Sequence, residues 1–158
     1  MRAVRLARAA IFAALYAALT LAVHPIAYME LQLRVSDALI PLSAIFGPEV
    51  AAGTALGCVV ANALAPYGIN PLDMTLGPAA NLIASLLAYR LRRRLWLAAL
   101  AAALVVGLIV GGYLWVIVGT SPWFTIASVT ASSLVSVGLM GYLLARVLTS
   151  RLPARGSA

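Results

Sequence analysis

Apolar runs broken by glycine, proline and charge recur along the whole chain and predict six helical segments, at about residues 7–23, 38–46, 49–65, 72–91, 95–118 and 123–148. The breaks are specific. Gly47 and Pro48 close one segment and open the next, with proline at the first helical position and Glu49 in the first turn, where the helix dipole favours an acid. Pro66, Gly68, Asn70 and Pro71 make one turn-rich connector, and Gly119, Thr120, Ser121 and Pro122 make another. The stretch 95–145 carries no charge and is long enough for two crossings of a hydrocarbon core about 30 Å thick. The pattern is that of an all-α membrane protein, one transmembrane domain over residues 1–158.

Residues 38–65 are ambiguous, being too few for two full spans and too many for one. The arginines decide between the options. With six crossings, Arg2, Arg5, Arg8, Arg90, Arg92, Arg93, Arg94, Arg146, Arg151 and Arg155 share one side, and Arg34 alone falls on the other. Merging the region into one helix would send the Arg90–Arg94 cluster across, against the cytoplasmic bias of basic residues. The expectation is therefore a six-transmembrane-helix bundle, its second helix short, with both termini cytoplasmic. Aromatic positions agree: Tyr28, Tyr67, Tyr113, Trp115, Trp123 and Phe124 fall at the outer edge and Tyr89 and Trp96 at the inner one, as interfacial belts do.

Small residues recur four apart, on single helix faces that let another backbone approach closely. Gly53 and Gly57, Gly107 and Gly111, and Ser128, Ser132 and Ser136 are expected to pack inside the bundle. The first helix carries two adjacent rows, Ala9, Ala13 and Ala17 beside Ala10, Ala14 and Ala18, a double-width face suited to a partner.

Composition sharpens the class. Apolar residues make up 64% and charged residues 9%, against about 25% charged in soluble domains. The net charge of +7 does not indicate nucleic acid, because the arginines sit at the ends of apolar runs and there is no lysine. Arg2, Arg5 and Arg8 ahead of residues 9–23 also fit a secretory signal peptide, but its cleavage would unbalance the topology. The single cysteine, Cys58, excludes an internal disulfide and is expected to pack as a small apolar side chain.

In so apolar a chain the polar island 32–37 stands out, since each ionisable group at the edge of the hydrophobic layer costs roughly 2.5–3.5 kcal/mol and so marks a ligand path or site. The expected topology puts Glu30, Gln32, Arg34, Ser36 and Asp37 in the first outer connection. Asn62 lies near the outer end of the third helix, Tyr67, Asn70 and Asp73 flank the next connection, and Asn81 lies two turns further in. Together they suit a flat, hydrogen-bonding small molecule captured from outside. Plainer readings exist: Arg34 and Asp37, three apart, pairing with each other, Asp73 capping its helix, and Asn62 and Asn81 bonding helix to helix. Enzyme motifs are absent. His24 stands alone, so no metal site or nucleophile–base pair can be built, no cofactor is expected, and no lysine-bearing phosphate loop supports ATP hydrolysis by the chain itself.

The run from Leu31 through Arg34, Ser36 and Asp37 to Leu39, then Gly57 to Asn62, then Pro66, Tyr67 and Gly68, then Asp73 and Gly77, resembles the QueT family over residues 31–89. These are substrate-binding S components of energy-coupling-factor (ECF) transporters, assigned to queuosine precursors. The resemblance implies a six-helix S-component fold in a prokaryotic plasma membrane and no enzymatic activity. It also implies a membrane T component as partner, docked on the alanine face of the first helix, and two cytoplasmic ATPase subunits. The family pattern has glutamate where this chain has Asp37, an acid shortened by one methylene. The resulting expectation is capture of a 7-deazaguanine-type precursor, with Asp37, Asn62, Asp73 and Asn81 as contacts, Arg34 orienting Asp37 or Glu30, and Tyr67 closing the site. The alternatives are an S component for thiamine or riboflavin, and a ligand-free structural subunit.

Overall fold

Helices account for every regular element in the computed structural model, which describes residues 2–23, 33–66 and 68–151. They are α1 (Arg2–Ala22), α2 (Val35–Phe46), α3 (Glu49–Ala63), α4 (Pro71–Arg90), α5 (Leu95–Val118) and α6 (Pro122–Arg151). The breaks fall where the turn residues put them. Gly47, at φ 115°, ends α2 and Pro48 precedes α3. Asn70 caps α4 by accepting from the Leu72 amide at 3.0 Å, with Pro71 as first helical residue.

Two helices depart from plain α geometry. α2 is a 3₁₀ helix over Val35–Leu42 that closes in a single α turn, Ser43–Phe46. It therefore starts before the expected Ala38, winding Ser36 and Asp37 into the helix rather than leaving them in a connector. Pro41 sits inside it and offers no N–H to any helical ladder. α6 contains a π-helical stretch, Leu134–Gly141, between its two α-helical parts, and at Gly141 an added Cβ would lie 2.8 Å from the Pro41 ring. Short non-α stretches of this kind concentrate at functional sites.

The small-residue faces bring backbones together. An added Cβ at Gly53 or Gly57 would lie 2.6 Å from the carbonyl oxygen of Ala9 or Ala13, so α3 packs directly on α1. At Gly107 and Gly111 it would lie 2.6 and 2.7 Å from Cα of Thr130 and Ile126, which closes α5 on α6. Ile40, Leu114, Val129 and Val137 fill one part of the core, and Phe12, Tyr16, Leu42 and Val50 another.

The outside is as apolar as the inside. Leu6, Ile11, Leu56 and Leu108 are each more than half exposed, the surface of a protein solvated by lipid. Among the described residues α1, α5 and α6 are long and apolar enough to cross a membrane. The basic helix ends gather at one end of the bundle. Arg5 and Arg8 of α1 share a groove with Arg92 after α4, and Ala145 and Leu148 of α6 pack in the cluster of Phe12 and Val50.

Candidate functional site

At the other end of the bundle, charge and amides are buried where the six helices meet. Arg34 stands at the N-cap of α2, Asp37 in its first turn, Asn62 in the last turn of α3, and Asp73 and Asn81 on the inward face of α4. All five are at most 4% exposed. An ionised side chain so placed is strongly destabilising unless it is paired and hydrogen-bonded.

Asp73 meets that demand completely. Arg34 Nη2 lies 3.7 Å from its Oδ2, and the Tyr113 hydroxyl donates to its Oδ1 at 2.6 Å. Asn62 Nδ2 donates to the Asp73 carbonyl at 2.7 Å and to Cys58 Sγ at 3.5 Å. Arg34 Nη1 also reaches Cys58 Sγ, at 3.6 Å. Cys58 is thus more than apolar filling: its sulfur is a weak acceptor at the edge of the polar network.

Asp37 is held differently. Among the described residues the hydrogen bond to its carboxylate comes from the Tyr16 hydroxyl. Tyr16 is in turn fixed from behind: Thr20 Oγ1 donates to the Tyr16 carbonyl at 2.9 Å. The Thr20 proton being used there, Ser36 Oγ donates to Thr20 Oγ1 at 2.7 Å. α1 and the first turn of α2 are stitched together beside the carboxylate.

Beside Arg34 and Asp37 lies a cavity of about 10 Å³, lined also by Gly77, Asn81 and Ser133 with Val106, Val110 and Val129 as apolar walls. That is room for about one water molecule. Gly77 matters by what it lacks. A Cβ there would come within 2.9 Å of Asn62 Nδ2 and 3.3 Å of the Tyr113 hydroxyl, pressing on the polar groups that frame the cavity. Asn81 donates from Nδ2 to the Thr54 carbonyl at 3.4 Å, which ties α4 to α3 one turn deeper.

Of the residues expected to form a site, the structure brings together Arg34, Asp37, Asn62, Asp73 and Asn81. Glu30 and Tyr67, like His24, lie outside the described residues. Arg34 does not serve simply as the near neighbour of Asp37 on one face; it reaches across to Asp73 on α4. Asp73 is not the cap of α4, a role Asn70 fills. Among the described residues no three His, Cys, Asp or Glu side chains are placed to hold a metal ion.

Several participants were not anticipated. Tyr113, expected in an outer aromatic belt, is 6% exposed and bonded to Asp73, whereas Trp115, Trp123 and Phe124 do face outward. Its signal was the spacing Val106, Val110, Tyr113, one face of α5. Tyr16 had the same kind of signal, lying four residues from both Phe12 and Thr20. Ser133 had none, being one of several serines along α6.

The two alanine rows of α1 separate cleanly. Ala9 and Ala17 are buried and Ala13 half-buried, and the row packs on Gly53 and Gly57 of α3. Ala10, Ala14 and Ala18 are exposed on the outer surface of the bundle.

The arrangement offers donors from Arg34 and Asn81, an acceptor in Asp37 and a hydroxyl in Ser133, between valine walls. It has the chemistry of recognition by hydrogen bonding and contact. A family model described as QueT transporter matches residues 6–150. No curated protein and no solved structure matches the chain.

Proposed function

The chain belongs to the QueT transporter family, whose members are transport proteins rather than enzymes, and from that premise we propose that it is the substrate-capture S component of an ECF-type importer. In this reading six helices cross a prokaryotic plasma membrane with both termini inside. The buried polar cluster opens toward the outside and takes a small heterocycle, a queuosine precursor of the 7-deazaguanine type. One observation carries the proposal: Arg34, Asp37, Asn81 and Ser133 converge from α2, α4 and α6 on one cavity walled by valines. A base with adjacent N–H donors would bond Asp37, its ring carbonyl would accept from Arg34, and Val106, Val110 and Val129 would cover its faces.

The cavity as it stands is far too small for a heterocycle, so capture requires the walls to part. The π-helical stretch of α6 begins immediately after Ser133, and it supports a wall that can reshape without breaking the helix. The membrane T component would dock on the exposed row Ala10, Ala14 and Ala18, leaving Ala9, Ala13 and Ala17 to the interior. Tyr16 joins that same helix to Asp37, so α1 would touch the ligand site on one side and the partner on the other. Two cytoplasmic ATPase subunits would supply the energy.

The experiment is a thermal-shift screen of detergent-purified protein, cleared of carried-over ligand, against 7-deazaguanines, thiamine, riboflavin and biotin. A ligand at 100 times its dissociation constant adds about 2.7 kcal/mol to stability. The expected result is a rise in melting temperature with a 7-deazaguanine alone. A rise with another vitamin would keep the S-component reading and replace its substrate. A second reading, a ligand-free subunit whose polar cluster only binds helices together, is favoured by the closed network around Asp73. It predicts no rise with any of these compounds.

A further inference from the structure

A second cavity lies at the opposite, arginine-rich end of the bundle, far from the site just described. It is an open groove of about 640 Å³ between the start of α1, the turn joining α2 to α3, and the end of α4. Arg5, Arg8 and Arg92 line it, against one carboxylate, Glu49. The four do not play equal parts. Arg8 Nη1 donates to the Phe46 carbonyl at 3.0 Å and lies 3.4 Å from Glu49 Oε1, so this pair is used up in closing the α2–α3 turn. Glu49 is held over Gly47, whose added Cβ would lie 2.8 Å from Glu49 Oε2.

Arg5 and Arg92 are left facing the groove. Arg5 has no ion pair among the described residues, and Arg92 is preorganised. Its guanidinium lies 4.6 Å over the Tyr89 ring and donates to the Tyr89 carbonyl at 3.4 Å. Stacking holds the group in place without neutralising its charge. Val4, Ile45, Phe46 and Pro48 supply the apolar part of the lining, Val4 more than half exposed. Two unneutralised guanidiniums above an apolar wall, at the level where helices leave the hydrocarbon, match one kind of ligand: a phosphate ester carrying acyl chains.

We propose that this groove is a binding site for an anionic phospholipid, its headgroup phosphate held between Arg5 and Arg92 and its chains lying along Val4, Ile45 and Phe46. Guanidinium groups suit phosphate because their paired N–H donors match its oxygens. Basic pockets between helix ends on the cytoplasmic side take lipid headgroups for the same reason. The proposal rests on the chain's being a membrane protein and is independent of which substrate the other end binds.

The test is native mass spectrometry of the full chain in a neutral detergent, with phosphatidylglycerol, phosphatidylcholine or inorganic phosphate added. The expected result is one phosphatidylglycerol retained in preference to phosphatidylcholine, with inorganic phosphate at equal concentration unable to displace it. The double variant Arg5→Gln/Arg92→Gln should lose that retention by roughly thirtyfold, as two interfacial charges are removed. The control Arg146→Gln/Arg151→Gln, which removes the same charge from the end of α6, should keep it. Both are substitutions of exposed or terminal side chains, and unchanged melting temperatures would establish folding. Equal retention of the two lipids, or equal loss in both double variants, would overturn the proposal. Displacement by inorganic phosphate would overturn it too, reducing the groove to a free-anion site.

Discussion

Asp73 and Asp37 are buried within one polar cluster, yet Asp73 is enclosed by groups from three other segments while Asp37 is held by Tyr16 and opens on the cavity. In the proposed reading that difference separates framework from binding group. A carboxylate satisfied by Arg34 and Tyr113, with Asn62 on its carbonyl, has little bonding capacity to offer a ligand and a large part in joining α2, α3, α4 and α5. A carboxylate with one hydrogen-bond partner among the described residues, the Arg34 charge nearby and a cavity beside it can take up a ligand contact at smaller cost to the fold.

The largest effect expected from this contrast is at Asp73. Asp73→Ala removes the partner of a buried guanidinium and should destabilise the protein by about 3–5 kcal/mol, measured as a fall in the denaturation midpoint in mixed micelles. Asp37→Asn comes next and in a different observable. It should weaken ligand binding by about 10- to 100-fold, corresponding to loss of a charged hydrogen bond of about 1.5–3 kcal/mol, while the ligand-free melting temperature changes little. If Asp37→Asn unfolds the protein as Asp73→Ala does, the contrast disappears.

Gly77→Ala tests the seam between the two halves. The added methyl would crowd Asn62 and Tyr113, costing about 1–3 kcal/mol of stability and lowering affinity together with it. Tyr113→Phe sharpens the framework side, with a loss of about 1.5–3 kcal/mol in stability, the range for a hydrogen bond to a charged group, and unchanged ligand affinity. The smallest effect on the isolated protein is expected from Ala14→Leu on the exposed row of α1. Its stability should stay within about 0.5 kcal/mol, and copurification with the T component should fall.

Much of the fold could be read from apolar runs and their punctuation. α5 begins and ends where the charge-free stretch between Arg94 and Gly119 requires, and the Gly47–Pro48 boundary is a matter of backbone chemistry alone. α2 was harder. A 3₁₀ helix has no strong periodic signature and Pro41 argues against an ordinary helix, so the polar residues ahead of Ala38 read as a connector. The polar residues of the site were visible because so few occur in this chain. What pairs with what was not, since Arg34 lies three residues from Asp37 but bonds an acid on another helix. Tyrosines present the same difficulty. Tyr16 and Tyr113 sit in apolar surroundings that equally suit an interfacial ring, and only the packing of α1 and α5 turns their hydroxyls toward a carboxylate.

The division between the two acids is tested most directly by calorimetric titration of a 7-deazaguanine into Asp37→Asn and Asp73→Asn, alongside melting curves of both. The account predicts that Asp37→Asn melts like the unaltered protein and binds at least tenfold more weakly, while Asp73→Asn melts lower and retains most of its affinity where folded. The reverse assignment, with affinity lost at Asp73 and stability lost at Asp37, would contradict it.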